Sequence, residues 1–336
     1  MNTSQKIPAN ELDFDSDSED KQSKQTKKKS QITKIASHNE KYNNCTNHTI
    51  SVAPEKSITD YLFIDAVSYP FKTWDDFFPK KINLRSLITN PSWNEFFDNM
   101  DKNNYIEGIE NVLSNYVLHK KIILPYPELV FDPFNKLGPN SIKVVIIGQD
   151  PYFNVNKING KVIPQAMGHS FSVPKNFPKP PSLQNICQNL FDFGHVKKIP
   201  TNGCLSYWVA QGCFLINASL TTFFSQANAH KNLWSKITNE LITYISTKYE
   251  NIVFLVWGSF ANFVCLNIDP TRHCIITSSH PSPLGCDKTF NGFPYGKDES
   301  DRQKVTYPSF RSTDHFGRAN AYLKQVNKTE IFWDTF

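Results

Sequence analysis

No apolar run in the 336 residues approaches the roughly 20 residues that a membrane-spanning helix needs. The opening MNTSQKIPANELDFDSDSED lacks the basic start and apolar stretch of a secretory leader. The expected setting is therefore intracellular and soluble, with no membrane partner. Cysteine is sparse and unpatterned, with seven residues at 45, 187, 204, 213, 265, 274 and 286 and no C-x-x-C pair. An odd, scattered set argues against a disulfide framework and a zinc site, and points to a reducing compartment. Large apolar residues are rare before residue 60, where an acidic run (DFDSDSED, 13–20) precedes a basic one (KQSKQTKKK, 21–29). Such a segment cannot bury enough surface to fold alone, so 1–60 is expected to be a disordered, mixed-charge extension. Its KKK suits either a nuclear-targeting patch or a solvated linker.

What remains, 61–336, reads as the folded part. Nine lysines balance nine acidic residues in 1–60, so the formal charge of +5 falls on 61–336. That excess is compatible with a polyanionic partner. A composition of 39% hydrophobic and 13% aromatic residues is ample for a core. Four short apolar runs, 142–147, 213–220, 252–257 and 274–277, are bounded by turn residues and read as buried strands. Between them lie stretches of helical period, SLQNICQNLF at 182–191 and LWSKITNELITYISTKY at 233–249. Alternating strands and helices predict an α/β fold, a three-layer α/β/α sandwich around a four-stranded parallel sheet. Ligands of such sheets bind outside the carboxyl ends of the strands.

The residues at those ends are polar and chemically mixed. Gly148-Gln149-Asp150-Pro151-Tyr152 follows the first run, Asn217 sits in the second, Gly258-Ser259 follows the third, and His280-Pro281-Ser282-Pro283-Leu284 follows the fourth. Singly, each has a plain structural explanation. Asp-Pro initiates turns, an Asn in an apolar strand is usually a satisfied core amide, a lone His is usually structural, and Phe171 reads as core. Their joint placement favours a site. A nucleotide binder of flavodoxin type would need a glycine-rich phosphate loop after the first strand, and GQDPY is not one.

In order, GQDPY at 148–152, FSV at 171–173, PKPPS at 178–182, FLIN ending at Asn217, WGS at 257–259 and HPSPL at 280–284 resemble the motifs of the family 1 uracil-DNA glycosylases. The resemblance runs from about Trp93 to the carboxyl terminus and makes 61–336 the catalytic domain. It implies hydrolysis of the N-glycosidic bond of deoxyuridine in single- or double-stranded DNA, giving uracil and an abasic site without metal or cofactor. Base chemistry of this kind requires the nucleotide to be flipped into a pocket. By resemblance, Asp150 lies beneath the sugar, either as a base or as an electrostatic partner. Tyr152 meets the C5 edge and excludes the thymine methyl, Phe171 stacks on the base, and Gln149 holds it through the backbone. Asn217 reads O4 and N3–H, and His280 donates to O2. Pro181, Ser182, Gly258, Ser259 and Ser282 belong to loops that grip phosphates, and Leu284 is an apolar wedge for the minor groove.

There are departures from the family pattern. Phe153 stands where a His is usual and begins the insertion FNVNKINGKVIP, and Met167 replaces a second His. His169 replaces an apolar residue and is a candidate substitute for the lost contact. The stretch after Leu284 is long and rich in lysine and tyrosine, and is expected to extend the DNA contact. Some relatives serve as DNA-binding replication subunits, which is the alternative function. Keeping Asp150, Tyr152, Asn217 and His280 together argues for the enzyme. The resemblance further implies a monomer, open to a DNA-mimicking protein inhibitor, acting in the nucleus or at a cytoplasmic replication site.

Overall fold

A computed structural model of the chain describes Ala66 and residues 68–335 apart from 159, 176 and 298. The extension expected over 1–60, with its KKK, lies outside the described residues. Four strands form one parallel sheet: β1 (Val144–Gly148), β2 (Cys213–Asn217), β3 (Val253–Trp257) and β4 (Cys274–Ser278), in the order β2-β1-β3-β4. β1 to β3 are buried at every position, which explains why they read as continuous apolar runs rather than alternating ones. Two boundaries differ from expectation. β1 includes Gly148, and β2 stops at Asn217 rather than running to 220. After Asn217 the Ala218 and Ser219 N–H groups donate to the carbonyls of Gly148 and Gln149, at 2.9 and 3.0 Å, tying the segment to the first motif.

Pairing residues in register places Phe214, Val145 and Phe254 on one face of the sheet. There Phe214 packs on Trp93 and Phe134, with ring centroids 5.5 and 5.3 Å away. This layer includes α1 (Asn94–Lys102) and α2 (Tyr105–Leu118), which contact α4 (Lys231–Lys248). On the other face Trp257 packs against Phe310 and Phe316, at 5.2 and 6.4 Å. Phe316 belongs to α6 (His315–Gln325). Burying aromatic side chains of this size stabilises by roughly 2–3 kcal/mol each. α3 (Pro181–Asp192) starts with a proline at its first turn and buries Leu183, Ile186, Cys187 and Leu190, the spacing of a one-sided helix. α5 (Gly258–Val264) opens immediately after β3.

The two stretches that depart from the family pattern each form an antiparallel hairpin. Val155–Ile158 pairs with Lys161–Pro164, and Phe290–Gly292 pairs with Val305–Tyr307. The second is anchored on α5, because the Asn262 amide donates to the Phe293 carbonyl and to the Tyr295 hydroxyl, both at 2.9 Å.

Candidate active site

The carboxyl ends of the four strands carry the predicted residues, and contacts between the loops bring them together. Gly148 and Asn217 are neighbours in register. A Cβ at Gly148 would lie 2.2 Å from Asn217 Oδ1 and 2.9 Å from Ser170 Cβ, so only glycine allows the amide to lie across the strand end. Asn217 is 4% exposed, yet its side chain hydrogen-bonds to no described residue. Neither its Oδ1 nor its Nδ2 is shut off from solvent, so the amide opens to the crevice rather than being tied into the core. The satisfied-core explanation for Asn217 therefore fails, and a donor and an acceptor remain for a ligand.

Asp150 is half-buried, and its Oδ2 accepts the Asn228 N–H at 2.6 Å. Burial raises its pKa to about 6, against the lowering effect of that hydrogen bond. The carboxylate is thus ionised at neutral pH but within reach of a proton. Asn228 holds a left-handed conformation, φ 59°, in the turn after β2. Its contribution is a backbone N–H, for which no side-chain pattern in the sequence gives a signal.

Tyr152, Phe171 and His280 are joined in a chain of contacts. The Tyr152 hydroxyl donates to the Phe171 carbonyl at 3.2 Å. Phe171 has φ 61°, a strained conformation for an aromatic residue, and its ring lies 5.3 Å from Trp257 and 6.0 Å from His280, centroid to centroid. Strain held at this position suits a ring presented to the crevice rather than one filling the core. The Ser282 N–H donates to His280 Nδ1 at 3.0 Å. An accepting Nδ1 carries no proton, so the ring is held as the neutral Nε2–H tautomer, a hydrogen-bond donor. Gly258, at φ 86°, lets the loops close: a Cβ there would meet His280 Cβ at 2.9 Å.

The predicted DNA-contact residues lie around this crevice. Pro181 and Ser182 form the first turn of α3, and Gly258 and Ser259 open α5, with Pro181 and Ser259 exposed. Leu284 is 57% exposed on the loop that carries His280 and Ser282. That loop is held from α3 by Asn185, whose amide donates to the Pro281 carbonyl at 2.7 Å. It is held from below by Ser279, whose hydroxyl donates to the Gly285 carbonyl and accepts the Phe310 N–H. Gln149 is exposed, and its carbonyl accepts from Ser219. Asn185, Asn228 and the packing role of Trp257 escape sequence reasoning, because each supports a residue distant in the chain.

His169 corrects the expectation attached to it. It is buried, and its Nε2 lies 2.9 Å from the carboxylate of buried Asp132. That pairing braces the segment leading into Phe171, and His169 does not substitute for an imidazole beside Asp150. Among the described residues no group of three or more His, Cys, Asp or Glu is arranged to hold a metal ion.

A family model described as the uracil DNA glycosylase superfamily matches residues 135–328. The chain is 46% identical over 278 residues to the probable uracil-DNA glycosylase of Acanthamoeba polyphaga mimivirus, covering 82% of this chain and 74% of that one. It is 36% identical over 257 residues to the uracil-DNA glycosylase of Campylobacter curvus, covering 76% and 97%. The crystal structure of the mimivirus uracil-DNA glycosylase superposes with a TM-score of 0.78 at 46% identity, over 83% of this chain and all of that one. A Y322L form of that protein, solved in complex with UGI, matches equally, with a TM-score of 0.78 and 46% identity over 82% of this chain and all of that one.

Proposed function

Since this chain belongs to the uracil-DNA glycosylase superfamily, we propose that its strand-end crevice takes up a deoxyuridine flipped from DNA and hydrolyses the N-glycosidic bond. The observation that carries the assignment of the pocket is the Asn217 amide, nearly buried and unpaired, beside a glycine that no other residue can replace. Its NH2 donates to uracil O4 and its carbonyl accepts from N3–H. Cytosine reverses that order and would leave buried polar groups unpaired, a strong basis for rejection. Tyr152 closes the C5 edge against the methyl of thymine, and Phe171 stacks on the ring.

As the bond between the sugar C1′ and the base N1 breaks, its electron pair passes to the uracil, and negative charge builds on O2. The Nε2–H of neutral His280 donates to that oxygen. The sugar becomes oxocarbenium-like and is stabilised by the Asp150 carboxylate beneath it. Water then attacks C1′ and loses its proton, which a carboxylate with a pKa near 6 can accept. The products are free uracil and an abasic site.

Ser182, Ser259 and Ser282 hold the phosphates on either side, and Leu284 fills the space left by the flipped base. The hairpin Phe290–Gly292 with Val305–Tyr307 lies just beyond Leu284 and extends that contact. An inhibitor that mimics DNA would compete for the same face. The chain is proposed to act as a monomer inside the cell, in the nucleus or at a cytoplasmic replication site. The test is release of uracil from an oligonucleotide carrying one deoxyuridine, in EDTA, with thymine and cytosine controls. Uracil-only release is expected. No release by folded protein, or equal activity of a His280→Ala variant, would refute the assignment.

A further inference from the structure

A basic and apolar surface lies beside the crevice, outside the loops assigned above. Three segments build it: 118–124, the insertion 153–164, and 222–231. Together they contain Lys120, Lys121, Lys157, Lys161 and Lys231 and no Asp or Glu. Backbone contacts make them neighbours. Ile123–Leu124 pairs with Thr222–Phe223, the Phe224 N–H donates to the Ile122 carbonyl, and the Ser225 N–H donates to the Phe153 carbonyl, the last two at 2.9 Å. The same turn continues to Asn228, which holds Asp150. The surface is therefore continuous with the catalytic carboxylate.

Its apolar groups are exposed to an unusual degree: Ile122 is 58%, Val162 50% and Phe224 41% accessible. Val162 stands across the hairpin from exposed Lys157, and Lys121 Nζ lies 5.9 Å from the Phe223 ring centroid. Lys120 on this surface pairs with Asp75 at 3.6 Å. Exposed rings and alkyl groups between lysines make a surface on which unpaired bases stack while ammonium groups meet phosphates. A solvent-facing strand with no binding role has little reason to present Phe224 and Ile122 on adjoining backbone.

We propose that Lys121, Lys157 and Phe224 form an additional track for the DNA strand flanking the flipped nucleotide, on the Asp150 side of the crevice. This rests on the glycosylase reading for its partner class, and it adds a contact that the phosphate-gripping loops do not include. Lysine contacts of this kind steer affinity and its salt dependence rather than base choice. Phe224 adds preference for a strand whose bases are unstacked.

The test measures equilibrium binding of a long deoxyuridine-containing duplex, and of a single strand of the same sequence, against salt. The variants are Lys121→Glu and Lys157→Glu combined, Phe224→Ser, and Phe224→Trp. Lys324→Glu serves as charge control, since Lys324 lies on the last turn of α6, at the amino end of the sheet. The double variant should lose at least tenfold in affinity and flatten the salt slope by roughly one unit per lysine. Phe224→Ser should weaken the single strand several-fold more than the duplex, with Phe224→Trp restoring it. Unchanged affinity and slope in the double variant, or an equal loss in Lys324→Glu, would overturn the proposal. So would loss confined to binding of a protein partner. Uracil release by the unaltered chain, measured alongside, reports separately on the glycosylase reading.

Discussion

The two ends of the parallel sheet use polar residues in opposite ways. At the amino end, each polar group named here finds a partner: Lys143 bonds to the Thr329 hydroxyl, Lys328 donates to the carbonyls of Glu250 and Asn251, and Gln211 donates to those of Tyr207 and Phe332. At the carboxyl end, the Asn217 amide has no partner among the described residues, Asp150 is desolvated to a pKa near 6, and Phe171 and Gly258 hold left-handed backbone. The amino end also has a groove of about 560 Å³ lined by Lys143 and Lys328, so concavity does not distinguish the two. The distinction lies in what these particular groups face: those named at the amino end bond to the protein, whereas the Asn217 amide opens to the crevice, although the buried Nε atoms of Arg272 and Trp333 toward the amino end also lack partners. Groups bonded within the protein hold the fold together, and polar groups that open to a crevice without a protein partner are available to a ligand.

The sharpest way to break this contrast is Asp150→Asn. It should lower kcat by about a thousandfold or more, roughly 4 kcal/mol of barrier, with DNA binding largely retained. Rates of the unaltered enzyme should fall with one-proton dependence as pH drops through about 6, where Asp150 protonates. The same pKa has a consequence for stability. A carboxyl raised in the folded state contributes stability fully below its unfolded pKa, near 3.8, and loses it as pH rises through about 6. The Asn variant should therefore be the more stable of the two at pH 7, by at most about 3 kcal/mol, and gain nothing at pH 3. Denaturant titrations at the two pH values check the sign.

The pocket itself comes next in size. Asn217→Asp should admit cytosine and Tyr152→Ala should admit thymine, each with about a hundredfold loss on uracil. Base release measured on the three substrates decides it, and unchanged base choice in both variants would refute the pocket assignment. His169→Ala tests an interior pair outside the crevice, since it leaves the buried Asp132 carboxylate without its imidazole. A stability loss of about 3 kcal/mol is expected. Smallest is Lys328→Ala at the satisfied end, where the loss should be about 1–2 kcal/mol in unfolding with kcat unchanged. A drop in kcat there would erase the contrast between the two ends.

Much of this architecture is legible in one dimension. The four apolar runs became the four strands because parallel strands covered on both faces need no polar alternation. The helix at 181–192 was legible from its period and its leading proline. The limit of β2 was not, since residues 218–220 are as buried as a strand, yet Ala218 and Ser219 bond to the first motif instead. Nor was the role of His169, whose partner lies 37 residues away in sequence.

The sequence by itself determined the order of strand and helix, the glycine, amide, carboxylate and imidazole at the strand ends, and the family to which that order belongs. Those are properties of residue type and spacing, which period and motif express directly. Tertiary structure alone decided which of these groups are satisfied. Hydrogen bonding and desolvation depend on neighbours brought close by folding, such as the Asn228 N–H on Asp150 and the Ser282 N–H on His280. The state of Asp150, the tautomer of His280 and the open amide of Asn217 all follow from contacts that no local pattern records.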